Sequence, residues 1–339
     1  MGFTKKMIYE NISIVHLEKG VDVTFNGNES NKEVIFSFDF NKNFIQKFTY
    51  IVDIYSEQIC NILDNVDNTV YVNDECFFYY SFNYQESFAH YLSQCLPKIK
   101  YYLEDKTKLL VVPKSTYNNL CKDIFNILGI SNENILVLEN NINYIFKNIS
   151  TVEHNGNQWH GVGGEINYDG VDVYKKIRNN LNLIKNENPH RKVYLKRDGK
   201  KSLVYGNGEV GITRKIVNED ELINILSSNG FEIIELGEKT IYEKSNELRD
   251  IHTVITQIGA NCMNFIFSNS IKNVLLLSNE YPLGKEYYFK LIDIINPIQC
   301  DKQIFEYGST IYGADVKNST NNPFLIDIHR ISNYIYDLN

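Results

Sequence analysis

Three groups of residues have types and spacings that can do chemistry. The first is Asn83-Tyr84-Gln85-Glu86-Ser87-Phe88-Ala89-His90-Tyr91-Leu92. Glu86 and His90 lie four apart, which on a helix sets both on one face, where a carboxylate can orient an imidazole and raise its basicity. That pair suits general-base work; the plainer alternative is a histidine satisfied inside a core. The second is Lys196-Arg197 at the end of an apolar run, followed by Arg214-Lys215-Ile216-Val217-Asn218-Glu219. A guanidinium at a strand's carboxyl end can clamp phosphate oxygens bidentately, although Arg214 and Lys215 would serve equally as solvated surface charge. Asn218 stands where it would cap a helix beginning at Glu219. The third is Thr256-Gln257-Ile258-Gly259-Ala260-Asn261-Cys262-Met263-Asn264. Glycine lets the backbone approach a ligand, and the helix that follows presents unpaired N–H groups. Such a turn suits a diphosphate. An ordinary tight turn competes with that reading, and the G-x-G-x-x-G pattern of a dinucleotide site is lacking.

Metal chemistry has little support. There is no D-x-D, no H-E-x-x-H and no close His or Cys pair, and His154 and His160 are too far apart for a standard ligand pair.

The elements that must position these groups can be read from periodicity. Phe88, Tyr91, Leu92, Cys95 and Leu96 recur at spacings of three and four, predicting a helix that Pro97 kinks or ends. Leu109-Leu110-Val111-Val112 reads as a strand, Thr116 to Leu128 as an amphipathic helix closed by Gly129, and Ile135-Leu136-Val137-Leu138 as the next strand. Strand, helix and strand at this spacing make a βαβ unit and so imply a parallel sheet. Thr151 to Gly170 reads as irregular. A helix with the stripe Val173, Ile177, Leu181 and Ile184 leads to Asn186-Glu187-Asn188-Pro189, the best domain junction. Beyond it the rhythm restarts: Val193-Tyr194-Leu195, Phe231-Glu232-Ile233-Ile234, Thr253-Val254-Ile255 and Val274-Leu275-Leu276-Leu277 are strands, separated by helices from Glu219 and from Ile241. Gly199 to Gly211 reads as a flexible loop that could close over substrate. The fold class is therefore α/β, with two Rossmann-like domains, 1–185 and 190–315. Residues 316–339 form a C-terminal segment expected to include a helix packing back on the first domain.

Composition sets the outer limits. The 339 residues are 43% hydrophobic and 22% charged, which argues against wholesale disorder. A formal net charge of −8 argues against nucleic-acid binding, because phosphate neutralisation needs a clustered surplus of Lys and Arg. Six scattered cysteines without a C-x-x-C pair read as reduced, buried thiols, and no signal-peptide core or membrane-length apolar run is present. A cytoplasmic location is expected. Tyr79, Tyr80, Phe82 and Trp159 could stack on sugar rings, with core packing as their plainer job.

Taken in order, the three groups resemble glycosyltransferase family 61, which includes capsular polysaccharide biosynthesis proteins. Asn83-Tyr84, His90-Tyr91-Leu92 and Leu96-Pro97-Lys98 match its early motif; Arg197 matches its strand-ending Arg. Arg214 through Asn218-Glu219 matches its Arg-x-x-x-Asn-Glu stretch, and Gly259-Ala260 with Asn264 matches its Gly-Ala-x-x-x-Asn turn. Ile258 stands where the family usually has His, and Gln94 where it often has an acidic residue. The resemblance runs from about Asn83 to Leu277. It implies a GT-B arrangement, two Rossmann-like domains facing a central cleft, and inverting, metal-independent transfer from a nucleotide sugar, expected to be UDP-linked, to a glycan or glycoconjugate. His90 is then the base, aided by Glu86, with Glu86 itself as the second choice. Arg197, Arg214, Asn218, Glu219, Gly259, Ala260, Asn261 and Asn264 would hold the donor diphosphate and nucleotide, and Asn83 and Tyr84 would lie on the acceptor side. No cofactor beyond the donor is called for, and peripheral membrane contact stays open. The rivals are a catalytically inactive nucleotide-sugar-binding or scaffold subunit, and another GT-B-like enzyme such as a sugar-nucleotide epimerase.

Overall fold

A computed structural model describes residues 4–17, 24–25, 28–29, 34–38, 68–79, 88–114, 116–139, 142–154, 170–197, 202–204, 210–212, 215–279, 285–296, 299–310 and 323–338. The chain divides into two compact units, Met1–Gln158 and Trp159–Asn339. It is a mixed α/β protein whose sheets contain parallel strands.

In the first unit, β1 (Thr4–Leu17), β4 (Val34–Phe38), β5 (Asn68–Phe78), β6 (Leu109–Pro113), β7 (Ile135–Leu138) and β8 (Ile142–His154) form one sheet in the order β4-β1-β8-β5-β6-β7. A separate two-stranded pair, β2 (Thr24–Phe25) with β3 (Asn28–Glu29), lies between β1 and β4 in sequence. The expected βαβ pattern is there: β8, β5, β6 and β7 are mutually parallel. The long β1 is added antiparallel to both β8 and β4, so the sheet is mixed rather than doubly wound. Strand β8 also extends through Thr151–His154, into a stretch expected to be irregular, because those residues pair with Thr4–Met7. Ile14, Val72, Phe78, Val111, Leu138 and Phe146 pack as its core.

The helical segments Phe88–His90, Tyr91–Cys95, Leu96–Lys98 and Ile99–Leu103 follow one another between β5 and β6. Proline has no N–H to give and its ring crowds the preceding turn. Here the helical path does not stop at Pro97. It widens to a π-turn over Tyr91–Cys95, tightens to a 3₁₀ turn over Leu96–Lys98 and then resumes as α-helix. The helix Asn119–Ile127 is capped by the Asn118 side chain, which accepts the Cys121 N–H at 3.0 Å.

In the second unit the sheet order is β12-β9-β13-β14-β15-β16, where β9 is Arg191–Lys196, β12 Glu232–Glu235, β13 Ile251–Gln257, β14 Asn273–Asn279, β15 Lys302–Thr310 and β16 Phe324–Leu325. The first five are parallel and β16 is antiparallel. All seven residues of β14 are buried, as expected of a central strand covered on both faces. On one face Tyr194, Ile255, Leu275 and Leu277 meet the helices Glu219–Ser228 and Ile328–Leu338. Alternation sends the buried Val193, Leu195, Val254 and Leu276 the other way. The helices Gly170–Asn180, Ile241–Glu247 and Lys285–Ile295 each pack on the 3₁₀ segment Ala260–Phe267.

Three details differ from expectation. The C-terminal helix places Ile331, Ile335 and Leu338 in the second unit's own core instead of packing back on the first. The stretch expected to be a loop contains a hairpin, β10 (Ser202–Val204) with β11 (Val210–Ile212). The apolar stripe of the helix Gly170–Asn180 ends at Leu181, leaving Ile184 81% exposed. Asn182 there adopts φ 53°, and Leu183 N–H bonds back to Arg178 O at 2.9 Å, so the helix closes one turn before Ile184. This helix lies in the second unit, since the contact division falls at Gln158/Trp159. The buried Arg178 donates from its guanidinium to Ile295 O at 2.7 Å, joining the ends of two helices.

The segment that leads into β9 is tied to the amino edge of the sheet. Asn186 Nδ2 and Asn269 Nδ2 donate to Asp250 Oδ1 at 2.7 and 3.1 Å, while Asp250 O accepts the N–H groups of His190 and Arg191. Asp250 itself adopts φ 58°, a conformation that Asn tolerates as readily. The Asn186 amide, then that of Asn269, hold the Asp250 carboxyl below the ordinary carboxylate range.

Two outcomes follow. A Cβ at Gly308 would lie 2.3 Å from Leu325 O, so Gly308→Ala must push β16 away from β15. Chemical denaturation should show a loss of roughly 1–3 kcal/mol. Because the folded Asp250 carboxyl titrates lower than the unfolded one, its contribution is full above about pH 4 and is lost as pH falls through the folded value. Asp250→Asn should therefore remove part of the wild-type stability change between about pH 5 and pH 3. Solvent screening keeps that part below about 1 kcal/mol. Urea melts across this range would show identical slopes if the network carried no charge effect.

Candidate active site

In an open parallel sheet, ligands bind outside the carboxyl ends of the strands, where successive connections leave in opposite directions. In the second unit the chain goes from β9 to β12 on one side, then crosses to β13 on the other and continues to β14 and β15. The switch therefore lies between β9 and β13. Arg197 is the first residue after β9, and Ile258-Gly259-Ala260 follow β13. Strand order thus brings together two of the groups that the sequence separates by some sixty residues.

The turn after β13 is held in place by main-chain carbonyls. Leu195 O, near the end of β9, accepts from Thr256 Oγ1 at 2.9 Å and from Asn261 Nδ2 at 3.3 Å. Ile258 N–H donates to Leu277 O of β14 at 3.0 Å. Between these anchors Gly259 adopts φ 124°, ψ −145°, a region essentially closed to residues with a Cβ. The segment Ala260–Phe267 then begins as a 3₁₀ helix, and the first N–H groups of any such segment lack intrahelical partners. Ala260 is exposed and Asn261 half-buried at this end. Asn264 lies further in; its Nδ2 donates to Asn261 O at 3.1 Å, and its buried Oδ1 has no hydrogen-bond partner. Thr256, whose hydroxyl ties β13 to β9, is the residue whose contribution only the pairing reveals. As one of several polar residues in that strand, beside His252, Thr253 and Gln257, it carries no distinguishing sequence signal.

The cationic group is only partly as expected. Arg197 is half-buried at the strand end. Lys196 is committed to Glu235 of the neighbouring β12 at 3.1 Å, and that carboxylate raises its pKa. Arg214 lies outside the described residues. Asn218 does not cap the helix Glu219–Ser228 with its side chain. Instead Nδ2 donates to Ile326 O at 2.9 Å and Oδ1 accepts Ile326 N–H at 3.0 Å, so both ends of the amide are used by one backbone residue of the C-terminal segment. The same segment is held by Phe324 N–H to Lys215 O and Val217 N–H to Phe324 O, each at 2.9 Å. Glu219 accepts from the Tyr194 hydroxyl at 2.7 Å, which joins this helix to β9. Burial, and then Glu219, push the Tyr194 hydroxyl pKa well up, so it stays a donor.

In the first unit β5 ends at Phe78 beside Thr151 of β8, whose hydroxyl donates to Phe78 O at 2.9 Å. Asn83, Tyr84 and Glu86 fall outside the described residues, as do Tyr80, Phe82 and Trp159. His90 closes the first helical segment after β5, with its side chain outside the description. Tyr79 is fully buried and belongs to the core. Among the described residues no group of three or more His, Cys, Asp or Glu could hold a metal ion, and no helix is long and apolar enough to cross a membrane.

A parallel sheet with an arginine and a glycine-led turn at its switch point makes this unit an α/β fold of the open-sheet class. The model of the family Glycosyltransferase 61 matches residues 88–275, more than half of the chain, and the protein belongs to that family. It is a glycosyltransferase, and the family implies a nucleotide-sugar donor and a glycan acceptor. No curated protein matches the chain significantly.

The Asn218 contacts give a direct expectation. Asn218→Ala leaves both polar groups of Ile326 without their partner, costing about 1–3 kcal/mol. The C-terminal segment should then be cut by a protease faster than in wild type. A helix-capping role would instead leave that cleavage rate unchanged.

Proposed function

We propose that the protein is an inverting, metal-independent glycosyltransferase of GT-B arrangement, working in the cytoplasm with a UDP-linked sugar. The observation that carries this reading is the convergence of Arg197 and the Gly259-Ala260 turn at one switch point. The donor diphosphate sits there, between the Arg197 guanidinium and the N–H groups that open the Ala260–Phe267 segment, with Arg214 completing the cationic side. As the glycosidic bond breaks, negative charge grows on the leaving diphosphate. Fixed N–H donors and a guanidinium stabilise it without reorganising, which is the kind of contribution worth about 10²–10³ in rate per donor. Thr256 and Asn261, by gripping Leu195 O, keep the turn and the Arg197 strand end at constant separation. Asn218 and Glu219 act behind them, holding the C-terminal segment and Tyr194.

Inversion requires a base on the face opposite the leaving group. His90 takes the proton from the acceptor hydroxyl as the oxygen attacks the anomeric carbon, and Glu86, one helical turn earlier in the spacing, orients the imidazole. Asn83 and Tyr84, which precede that pair, contact the acceptor glycan.

A thermal-shift panel of nucleoside diphosphates tests the donor half. A ligand at about a hundred times its Kd adds about 2.7 kcal/mol to the native state, so uridine diphosphate should raise Tm by several degrees and Arg197→Ala should remove most of that rise. His90→Ala should keep the shift, yet lose release of uridine diphosphate from the sugar donor. Turnover in the wild type should survive EDTA. Failure of every nucleotide to shift Tm sinks the donor reading, and wild-type turnover in His90→Ala removes that residue from the mechanism. Nucleotide binding with no turnover at all would favour an inactive binding subunit.

A further inference from the structure

His90 is preceded by Ala89 and followed by Tyr91, and both neighbours are held by side-chain hydrogen bonds beyond the backbone ladder. Over Tyr91–Cys95 the backbone widens into a π-turn. Such turns are rare, disturb the i to i−4 ladder, and occur frequently at functional sites. The Ser93 hydroxyl donates to Ala89 O at 2.8 Å, so a side chain takes a carbonyl on the turn that holds His90. On the other side, the Tyr79 hydroxyl donates to the Tyr91 hydroxyl at 3.1 Å, with both residues fully buried. Tyr79 cannot move to follow Tyr91. Its N–H is bonded to Val111 O of β6 at 2.9 Å, and its ring meets Phe125 edge-on at 5.5 Å and Tyr91 at 6.4 Å. Burial pushes both hydroxyl pKa values well up, and the buried thiols of Cys95 and Cys121 nearby add to this, so both hydroxyls stay protonated.

This is a costly way to fill a core. Phenylalanine at both positions would occupy nearly the same volume without burying two hydroxyls. A fully satisfied polar string specifies a single arrangement, which apolar contacts alone do not. The element it fixes is the one turn of the chain that carries His90, and it fixes that turn to the end of β5 and to the helix Asn119–Ile127.

We propose that Tyr79, Tyr91 and Ser93 are positioning residues that bracket His90 from both sides, setting the direction from which its imidazole leaves the backbone. The catalytic meaning of this bracket rests on His90 as the base proposed above; the bracket itself does not.

The test uses histidine-labelled full-length protein, with the His90 imidazole resonance identified among the seven histidines by its loss in His90→Gln. In Tyr79→Phe, Tyr91→Phe and Ser93→Ala, that resonance should shift while those of the other histidines stay in place. With the donor identified by thermal shift, kcat should fall between about tenfold and a hundredfold, the range a misplaced reacting group costs. KM for the donor should stay unchanged. Circular dichroism and Tm establish that each variant is folded, and any one folded variant suffices. An unmoved His90 resonance in a folded variant overturns the inference, as does a fall in kcat matched by an equal rise in KM. Wild-type turnover in His90→Ala is a separate result: it removes the base reading and is obtained without any of these three variants.

Discussion

The second unit depends on one carbonyl. Leu195 O ends the buried part of β9 and accepts from two side chains that flank Gly259, Thr256 at the end of β13 and Asn261 after the turn. A parallel sheet already sets the spacing of its strands, but it does not set where the chain goes once a strand ends. Here a threonine hydroxyl and an asparagine amide make that choice. With Ile258 N–H bonded to Leu277 O, the turn spans three adjacent strands, and Gly259 is left with a conformation that only glycine adopts at low cost. The glycine makes that conformation cheap, and the hydrogen bonds on either side fix it.

The rest of the unit serves that geometry from behind. Tyr194 faces the opposite side of β9 from Leu195 and holds Glu219, so the helix Glu219–Ser228 cannot slide along the strand. Asn218 extends the hold to Ile326, and β16 closes against the Gly308 end of β15, where no side chain would fit. At the amino edge, Asp250 and the two asparagines secure the entry to β9. The first unit has a comparable arrangement on a smaller scale, with side-chain hydroxyls in place of a glycine around the turn that bears His90. In both units the polar groups least suited to a core lie where the chain must keep one direction.

Much of this was legible in the residues. The strands from Leu109, Ile135, Val193, Thr253 and Val274 stood out because runs of Val, Ile and Leu bounded by turn residues have few other readings. Gly129, with φ 67°, closed the helix its position suggested. The glycosyltransferase family was recognisable from Gly259-Ala260, Arg197 and His90-Tyr91-Leu92. Side-chain partners were not legible. Asn218 has every attribute of a helix cap, yet its amide is satisfied by a residue 108 positions away. Lys196 reads as a phosphate ligand until Glu235 proves to be its strand neighbour.

By itself, then, the sequence determined the elements, the glycine-led turn and the family, because periodicity and backbone preference are properties of neighbouring residues. Only the tertiary structure decided the strand order β12-β9-β13-β14-β15, the antiparallel addition of β1 to the first sheet and the docking of the C-terminal helix on its own unit. Those outcomes depend on which apolar faces and edge carbonyls find one another across long separations, and no local pattern encodes that choice. Arg197 and Gly259 have the right chemistry as residues; they come to lie at one switch point because β9 and β13 pair.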